Sequence, residues 1–284
     1  MNTNSNNSNK SIITLLIAML MLAPLYNANA QNNKDEFGIW ATVEASKKIN
    51  KKFKVVADAE FRTYDFVSNV ERATIGAKIE YKIQKWLKAN VGYSFMYTHE
   101  PEEKSIKDEV EDEEGNVFNE YNIDHDYWTI RNRVYATISG EYKVGRFEFD
   151  LRERLQYTRT SSATTNETKY RYDLGEDPLF STEDNEWITT TEPEFKEAKH
   201  NLTLRSRLSI KYDIPNCKIN PFASIELYTR LDKWKGYDKL RYRIGGSYKI
   251  NKKNSISLYY LYQDVNDIDE ADGHAIGFEY SIDL

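Results

Sequence analysis

The side chains with the most chemistry to offer in this 284-residue sequence are arginines and carboxylates set at every second position. Asp58, Glu60 and Arg62 form one such row, and Arg72, Lys78 and Glu80 the next. Arg131 with Arg133, Arg152 with Arg154, Arg205 with Arg207, Glu226 with Arg230, and Arg241 with Arg243 repeat the pattern. Side chains two apart lie on one face of a strand. Neighbouring strands are about 4.8 Å apart, so guanidinium and carboxylate groups on adjacent strands can pair directly. Such rows either build a cross-strand salt-bridge network or line a small aqueous pore. Arginine outnumbers carboxylate in them, so a pore would favour anions through its field.

Enzyme chemistry finds less support. A lipid-modifying hydrolase or acyltransferase needs a serine within hydrogen-bond reach of a histidine, oriented by a third group. The four histidines, His99, His125, His200 and His274, fall near strand ends or in connections. His200 and Ser206 share a face, but six residues of strand put them roughly 20 Å apart. No nucleophile motif is visible, and the expectation is a non-enzyme, with a cross-strand lipid-modifying site as the alternative. Cys217 is the only cysteine, so neither an intrachain disulfide nor a cysteine-based metal site can form. The acidic run Glu109-Val110-Glu111-Asp112-Glu113-Glu114 offers hard oxygen ligands, yet its spacing matches no calcium loop, and a solvated surface explains it. Nothing calls for a cofactor.

These rows need strands to position them. From residue 36 onward alternation has period two, and no helical period competes. It predicts strands at about 36–46, 53–66, 70–82, 86–99, 127–142, 146–160, 199–213, 219–232, 238–250, 254–265 and 273–284. Many reach 12 residues, enough to cross a bilayer on a tilt, which takes about 9–11. Tight, lysine-rich turns alternate with longer links, of which 100–126 and 161–198 are the longest, read here as acidic extracellular loops.

The first thirty residues read as a cleaved secretory signal. Lys10 precedes the apolar run from Ile12 to Leu22, and Ala28-Asn29-Ala30 supplies the small residues before a cut. The run is too short for a comfortable spanning helix, which needs about 20 residues; a retained anchor is the alternative. Residues 31–284 are then one domain.

Parity alone allows a soluble sandwich or a membrane barrel. Phe147, Phe149, Leu151, Leu155 and Tyr157 oppose Arg146, Glu148, Asp150, Arg152, Arg154 and Gln156, and Asn132, Glu153 and Ser206 interrupt such apolar rows. Export, strand length and aromatics near strand ends favour the barrel; the chain carries 21 Tyr and 5 Trp. The C-terminal row Phe278, Tyr280, Ile282, Leu284 resembles the signal read by the barrel-insertion machinery. A mean hydropathy of -0.73 fits either architecture, because only alternate residues of a barrel strand meet lipid. The expected fold is all-β: a transmembrane, antiparallel, up-and-down β-barrel of about 10–12 strands. Since single-chain bacterial barrels have even counts, eleven segments imply a missed strand near 181–192 or the mature N-terminus, or an irregular course for residues 31–40.

The second half resembles the bacterial family known as domain of unknown function 2490. The resemblance rests on Leu204-Arg205-Ser206-Arg207-Leu208, Asn220-Pro221-Phe222, Glu226-Leu227-Tyr228 and Leu240-Arg241-Tyr242-Arg243-Ile244-Gly245. It continues through Tyr248, Asn251-Lys252-Lys253, Tyr260, Tyr262-Gln263 and His274, with Trp40 and Glu60-Phe61-Arg62 in the first half. It implies an outer-membrane barrel and supplies no reaction, ligand or site. The expected setting is therefore the outer membrane of a Gram-negative bacterium. The expected partners are its lipid and, during biogenesis, the insertion machinery, with the small solute or surface partner unidentified. Acidic loops disfavour nucleic acid. A surface-recognition or structural barrel acting through those loops is the alternative to a pore; Tyr170, Tyr172, Trp187 and Phe195 could anchor a partner, although folding the loop over the barrel mouth is the favoured reading of them.

Overall fold

A computed structural model describes residues 36–111, 115–172, 187–232, 237–266 and 273–284. The signal segment lies outside them. The wall starts with β1 (Glu36–Lys48), β2 (Phe53–Tyr64), β3 (Asn69–Lys82) and β4 (Leu87–Glu100). The chain then leaves it for β5 (Glu103–Glu111) and β6 (Val117–Asp124), and returns for β7 (Tyr127–Val144) and β8 (Phe147–Thr160). It leaves again for β9 (Ala163–Tyr172) and β10 (Trp187–Lys196). Finally β11 (Lys199–Tyr212), β12 (Ile219–Arg230), β13 (Lys239–Lys249), β14 (Asn254–Val265) and β15 (Gly273–Asp283) complete it. All eleven expected segments are barrel strands. Among the described residues no helix is long and apolar enough to cross a membrane.

The barrel closes in the order β1-β15-β14-β13-β12-β11-β8-β7-β4-β3-β2. Its odd count corrects the expectation of an even one. Among the described residues no barrel strand is missing: Trp187–Lys196 is a strand, but outside the wall, and β1 is regular from Glu36, while residues 31–35 and 181–186 lie outside the described residues. Each hairpin reverses the chain, so eleven strands leave the first and last running the same way. Only a parallel ladder can then seal the wall, and β1 pairs β15 in parallel from Glu36↔Gly273 to Ser46↔Asp283. Sealing matters because an open edge in hydrocarbon would strand a row of N–H and C=O groups. The Ser46 hydroxyl donates to the Asp283 carboxylate at the end of this seam, and Leu284 N–H donates to the Ser46 carbonyl at 2.7 Å.

Local chemistry sets the tight turns. Asn50 Oδ1 accepts from the N–H groups of Lys52 and Phe53 at 2.8 and 2.9 Å. Asn251 Oδ1 repeats the device with Lys253 and Asn254 at 2.8 and 2.9 Å. An asparagine side chain thus replaces a backbone acceptor in both Ile-Asn-Lys-Lys turns. Between β7 and β8 the left-handed φ of +57° falls on Gly145, where no Cβ resists it.

In their described residues the two longest links are not irregular loops. They pair into a second, four-stranded antiparallel sheet, ordered β10-β9-β6-β5. β9 is its centre, matched to β10 at Thr168↔Thr191 and to β6 at Ile123↔Thr168.

Candidate functional site: the barrel interior

Alternation sorts the wall as expected. The row from Phe147 to Tyr157 on β8 faces out, with Leu151 54% exposed, and Val134 and Ile138 do so on β7. Aromatic pairs sit at both rims, tilted at one and stacked at the other. Phe53–Tyr81 and Phe147–Tyr212 lie at the tight-turn end, with centroids 5.0 and 4.9 Å apart. Tyr97–Trp128 (4.5 Å) and Tyr242–Tyr262 (6.2 Å) lie at the other.

All sixteen charged candidates stand on the inward parity of their strands. β12 carries the most enclosed of them, Glu226, only 2% exposed. Its Oε1 accepts from Arg152 on β8; its Oε2 accepts from Arg205 on β11 at 2.9 Å and lies 3.9 Å from Arg241 on β13. Tyr228 donates its hydroxyl to the same Oε2 at 3.2 Å. A second knot forms on β2 and β3. Glu60 takes Arg62 at 2.8 Å and Arg72 at 4.0 Å, while Glu71 lies 3.9 and 3.5 Å from the same two guanidiniums. Glu71 reaches in because the β2–β3 register slips between Arg62 and Thr63.

Aromatic rings join the knots. The Arg62 guanidinium sits 3.5 Å over the Trp40 ring and that of Arg241 sits 4.8 Å from it, so β1 links β2 to β13 across the parallel seam. Arg205 and Arg241 lie 4.5 and 5.0 Å over Tyr228. Arg154 covers Tyr135 and Arg243 covers Tyr259, at 4.2 and 5.3 Å. Alternation sets Tyr135 on the charged face of β7, but sequence reasoning otherwise assigned aromatics to the lipid boundary and marked none of these four as a cation partner. The signal was there: Trp40, Tyr135, Tyr228 and Tyr259 share the parity of the charges around them. Tyr135 and Tyr259 lean over Gly92 and Gly277, where an added Cβ would come within 2.4 and 2.0 Å of the rings.

The remaining candidates do not join the knots. Lys78 pairs with Glu44 at 2.9 Å, Arg131 with Glu100, and Arg207 with Asp150 at 3.3 Å. Arg230 pairs with Asp232 at the strand end at 2.8 Å. Asp58 and Glu80 have no cation within ion-pair distance among the described residues, and Asp58 instead fills the space over Gly76.

Three smaller features lie elsewhere. On the outward face, Ser206 donates to Glu153 at 2.5 Å and Tyr93 to Asn132 at 2.5 Å, so the interruptions in the apolar rows are hydrogen-bonded. In the second sheet, His125 Nε2 meets the Thr168 hydroxyl at 2.7 Å, and its Nδ1 lies 4.0 Å from Glu102. That is a nucleophile–base–acid order, but Thr168 sits mid-strand with ladders on both sides, so its backbone N–H cannot serve an oxyanion. Asp124, Glu167 and Glu194 also converge there. Lys196 already occupies the cluster, 2.6 Å from Asp124 and 2.7 Å from Glu194. Burial would raise the Asp124 carboxyl, but the bond from Lys196 prevails and holds it below its ordinary value.

A closed barrel with an apolar, aromatic-rimmed outer wall and a charged interior is an outer-membrane-type β-barrel. The chain belongs to the family described as "Protein of unknown function (DUF2490)", whose model matches residues 37–274. No curated protein matches it. Among solved structures it is similar to the translocator domain of autotransporter NalP from Neisseria meningitidis, at 11% identity and a TM-score of 0.49, covering 93% of this chain and 95% of that one. It is also similar to the beta domain of the Bordetella autotransporter Brka, at 9% identity and a TM-score of 0.44, covering 82% of each chain.

Proposed function

We propose that the protein resides in the bacterial outer membrane, with its signal removed after Ala30, and forms a narrow, anion-selective pore. One observation carries this: at the level of Glu226 and Glu60 the interior holds more guanidinium than carboxylate. These two acids and Glu71 face Arg62, Arg72, Arg152, Arg205 and Arg241. Arg133, Arg154 and Arg243 add three cations with no carboxylate in ion-pair range among the described residues. A low-dielectric tube of this sign concentrates anions. The side chains at this level are buried, Arg205 and Arg241 being 8% and 6% exposed, so unit conductance is small. The test is planar-bilayer recording of refolded protein in a potassium chloride gradient. A reversal potential of the chloride sign is expected; a cation-selective or silent barrel overturns the proposal.

A second reading, surface recognition by the outer sheet, is favoured by a specific cluster. Phe118 stacks on Tyr172 at 3.7 Å, Tyr121 on Tyr170 at 4.5 Å, and Trp187 meets Tyr172 edge-on at 5.4 Å. Trp187 stays 42% exposed and so offers an aromatic anchor. Removing residues 103–124 and 163–196 should leave insertion intact if the sheet serves recognition, and should block it if the sheet serves folding.

A further inference from the structure

We propose that the interior binds an oxyanion of the phosphate class, seated on the β3–β4–β7 wall between Arg133 and Arg72. The proposal deepens the anion-pore reading by naming a ligand, yet it requires only that the barrel bind, not that it conduct.

Arg133 is the focus. Its Nε donates to the Thr158 hydroxyl on β8 at 3.1 Å, which leaves the two terminal nitrogens for another acceptor. The ionisable groups acting on it most strongly are three further guanidiniums, Arg72, Arg205 and Arg62, and the Tyr228 phenol. Of these, Arg205 is committed to Glu226, and Arg62 and Arg72 already share Glu60 and Glu71. An arginine cannot escape such a setting by losing its proton. Arg133 is half-buried, and a partly desolvated, uncompensated charge is costly; the available remedy is a counter-anion.

Orphaned donors occur around the interior, and four of them lie on this wall. Thr74 Oγ1, Thr98 Oγ1, and the Nε atoms of Arg72 and Arg131 are buried without a hydrogen-bond partner among the described residues. Thr98 is 4% exposed. The register sets them on consecutive inward rungs: Arg72–Thr98–Thr129, then Thr74–Met96–Arg131, then Gly76–Ser94–Arg133. Successive inward rungs are about 7 Å apart, within reach of an arginine side chain. Hydroxyl and guanidinium donors on neighbouring inward rungs suit a ligand with several acceptor oxygens, because guanidinium forks bind phosphate and sulfate bidentately.

The full refolded barrel, in zwitterionic detergent, is titrated with sodium phosphate against sodium chloride at matched ionic strength. Thermal unfolding is read by heat-modified gel migration, and binding by calorimetry. Phosphate should raise the midpoint saturably and beyond chloride. Arg133→Met should weaken phosphate at least tenfold while raising the midpoint in anion-poor buffer, since it removes a repelled charge. Arg207→Met, whose pair with Asp150 stands apart, should keep the phosphate response. If Arg133→Met fails to insert, Arg133→Lys serves, keeping the charge but losing the fork and most of the affinity. Equal shifts with both salts would mean screening only and would overturn the site, as would undiminished phosphate affinity in the Arg133 variants. A silent barrel that binds phosphate removes the pore and leaves this proposal standing. Anion conduction without phosphate preference does the reverse.

Discussion

Replacing Glu226 by glutamine is the sharpest test of what holds the interior together. The substitution preserves shape and removes one charge, leaving Arg152, Arg205 and Arg241 directed at a neutral amide. Breaking one side of a buried ion pair costs about 3–5 kcal/mol, chiefly through the charge left behind. Glu226 is 2% exposed and serves three guanidiniums, so its loss belongs at the upper part of that range. Against a domain stability of about 5–15 kcal/mol, that is a third or more of the whole. The assay is equilibrium urea unfolding in lipid vesicles, followed by gel migration and by tryptophan fluorescence, to which Trp40 beside Arg241 contributes. The double variant Glu226→Gln with Arg152→Met should recover part of the loss, giving a coupling energy of at least about 1 kcal/mol. If Glu226→Gln alone lies within about 1 kcal/mol of the parent, water is compensating these charges. The knot would then be an incidental contact.

Three further outcomes follow from the geometry. Glu153→Leu should stabilise the barrel by about 1–2 kcal/mol in the same unfolding assay, because a carboxylate on the lipid face at mid-strand is a burden; a loss of stability would mean that this face meets protein. Gly277→Ala should cost about 1–3 kcal/mol, since its Cβ would lie 2.0 Å from the Tyr259 ring; an unchanged midpoint would show the ring free to move. The Asp124–Lys196 pair makes the outer sheet acid-sensitive. Asp124 has a folded pKa below its ordinary 3.8, so its contribution is complete above that value and disappears as pH falls through the folded one. Amide hydrogen exchange in Ala163–Tyr172 should accelerate near pH 3, after correction for intrinsic rates, relative to pH 6; equal protection would sink the assignment.

Much of the wall was legible because side-chain direction in a strand depends only on parity. The outward row on β8 and the alternation of inward Arg205 and Arg207 with outward Ser206 needed no knowledge of neighbours. The outer sheet was not legible. Glu103–Glu111 is too acidic to show an apolar face, and Trp187–Lys196 is mostly exposed along its length. Pairing, rather than burial, makes those segments strands. Trp40 and Tyr228 were visible as residues but not as cation partners, since the arginines they meet lie on other strands.

The sequence by itself determined the eleven wall strands, the face each side chain takes, and the preference for a lipid-facing exterior. These are local consequences of period two and of turn chemistry at residues such as Asn50, Gly145 and Asn251. Only the tertiary structure decided that β1 and β15 join in parallel, that Glu226 gathers three arginines while Arg133 receives no carboxylate among the described residues, and that the described parts of two long links form one sheet. Those outcomes depend on which strands become neighbours and at what register, and alternation along a single strand carries no information about its partner.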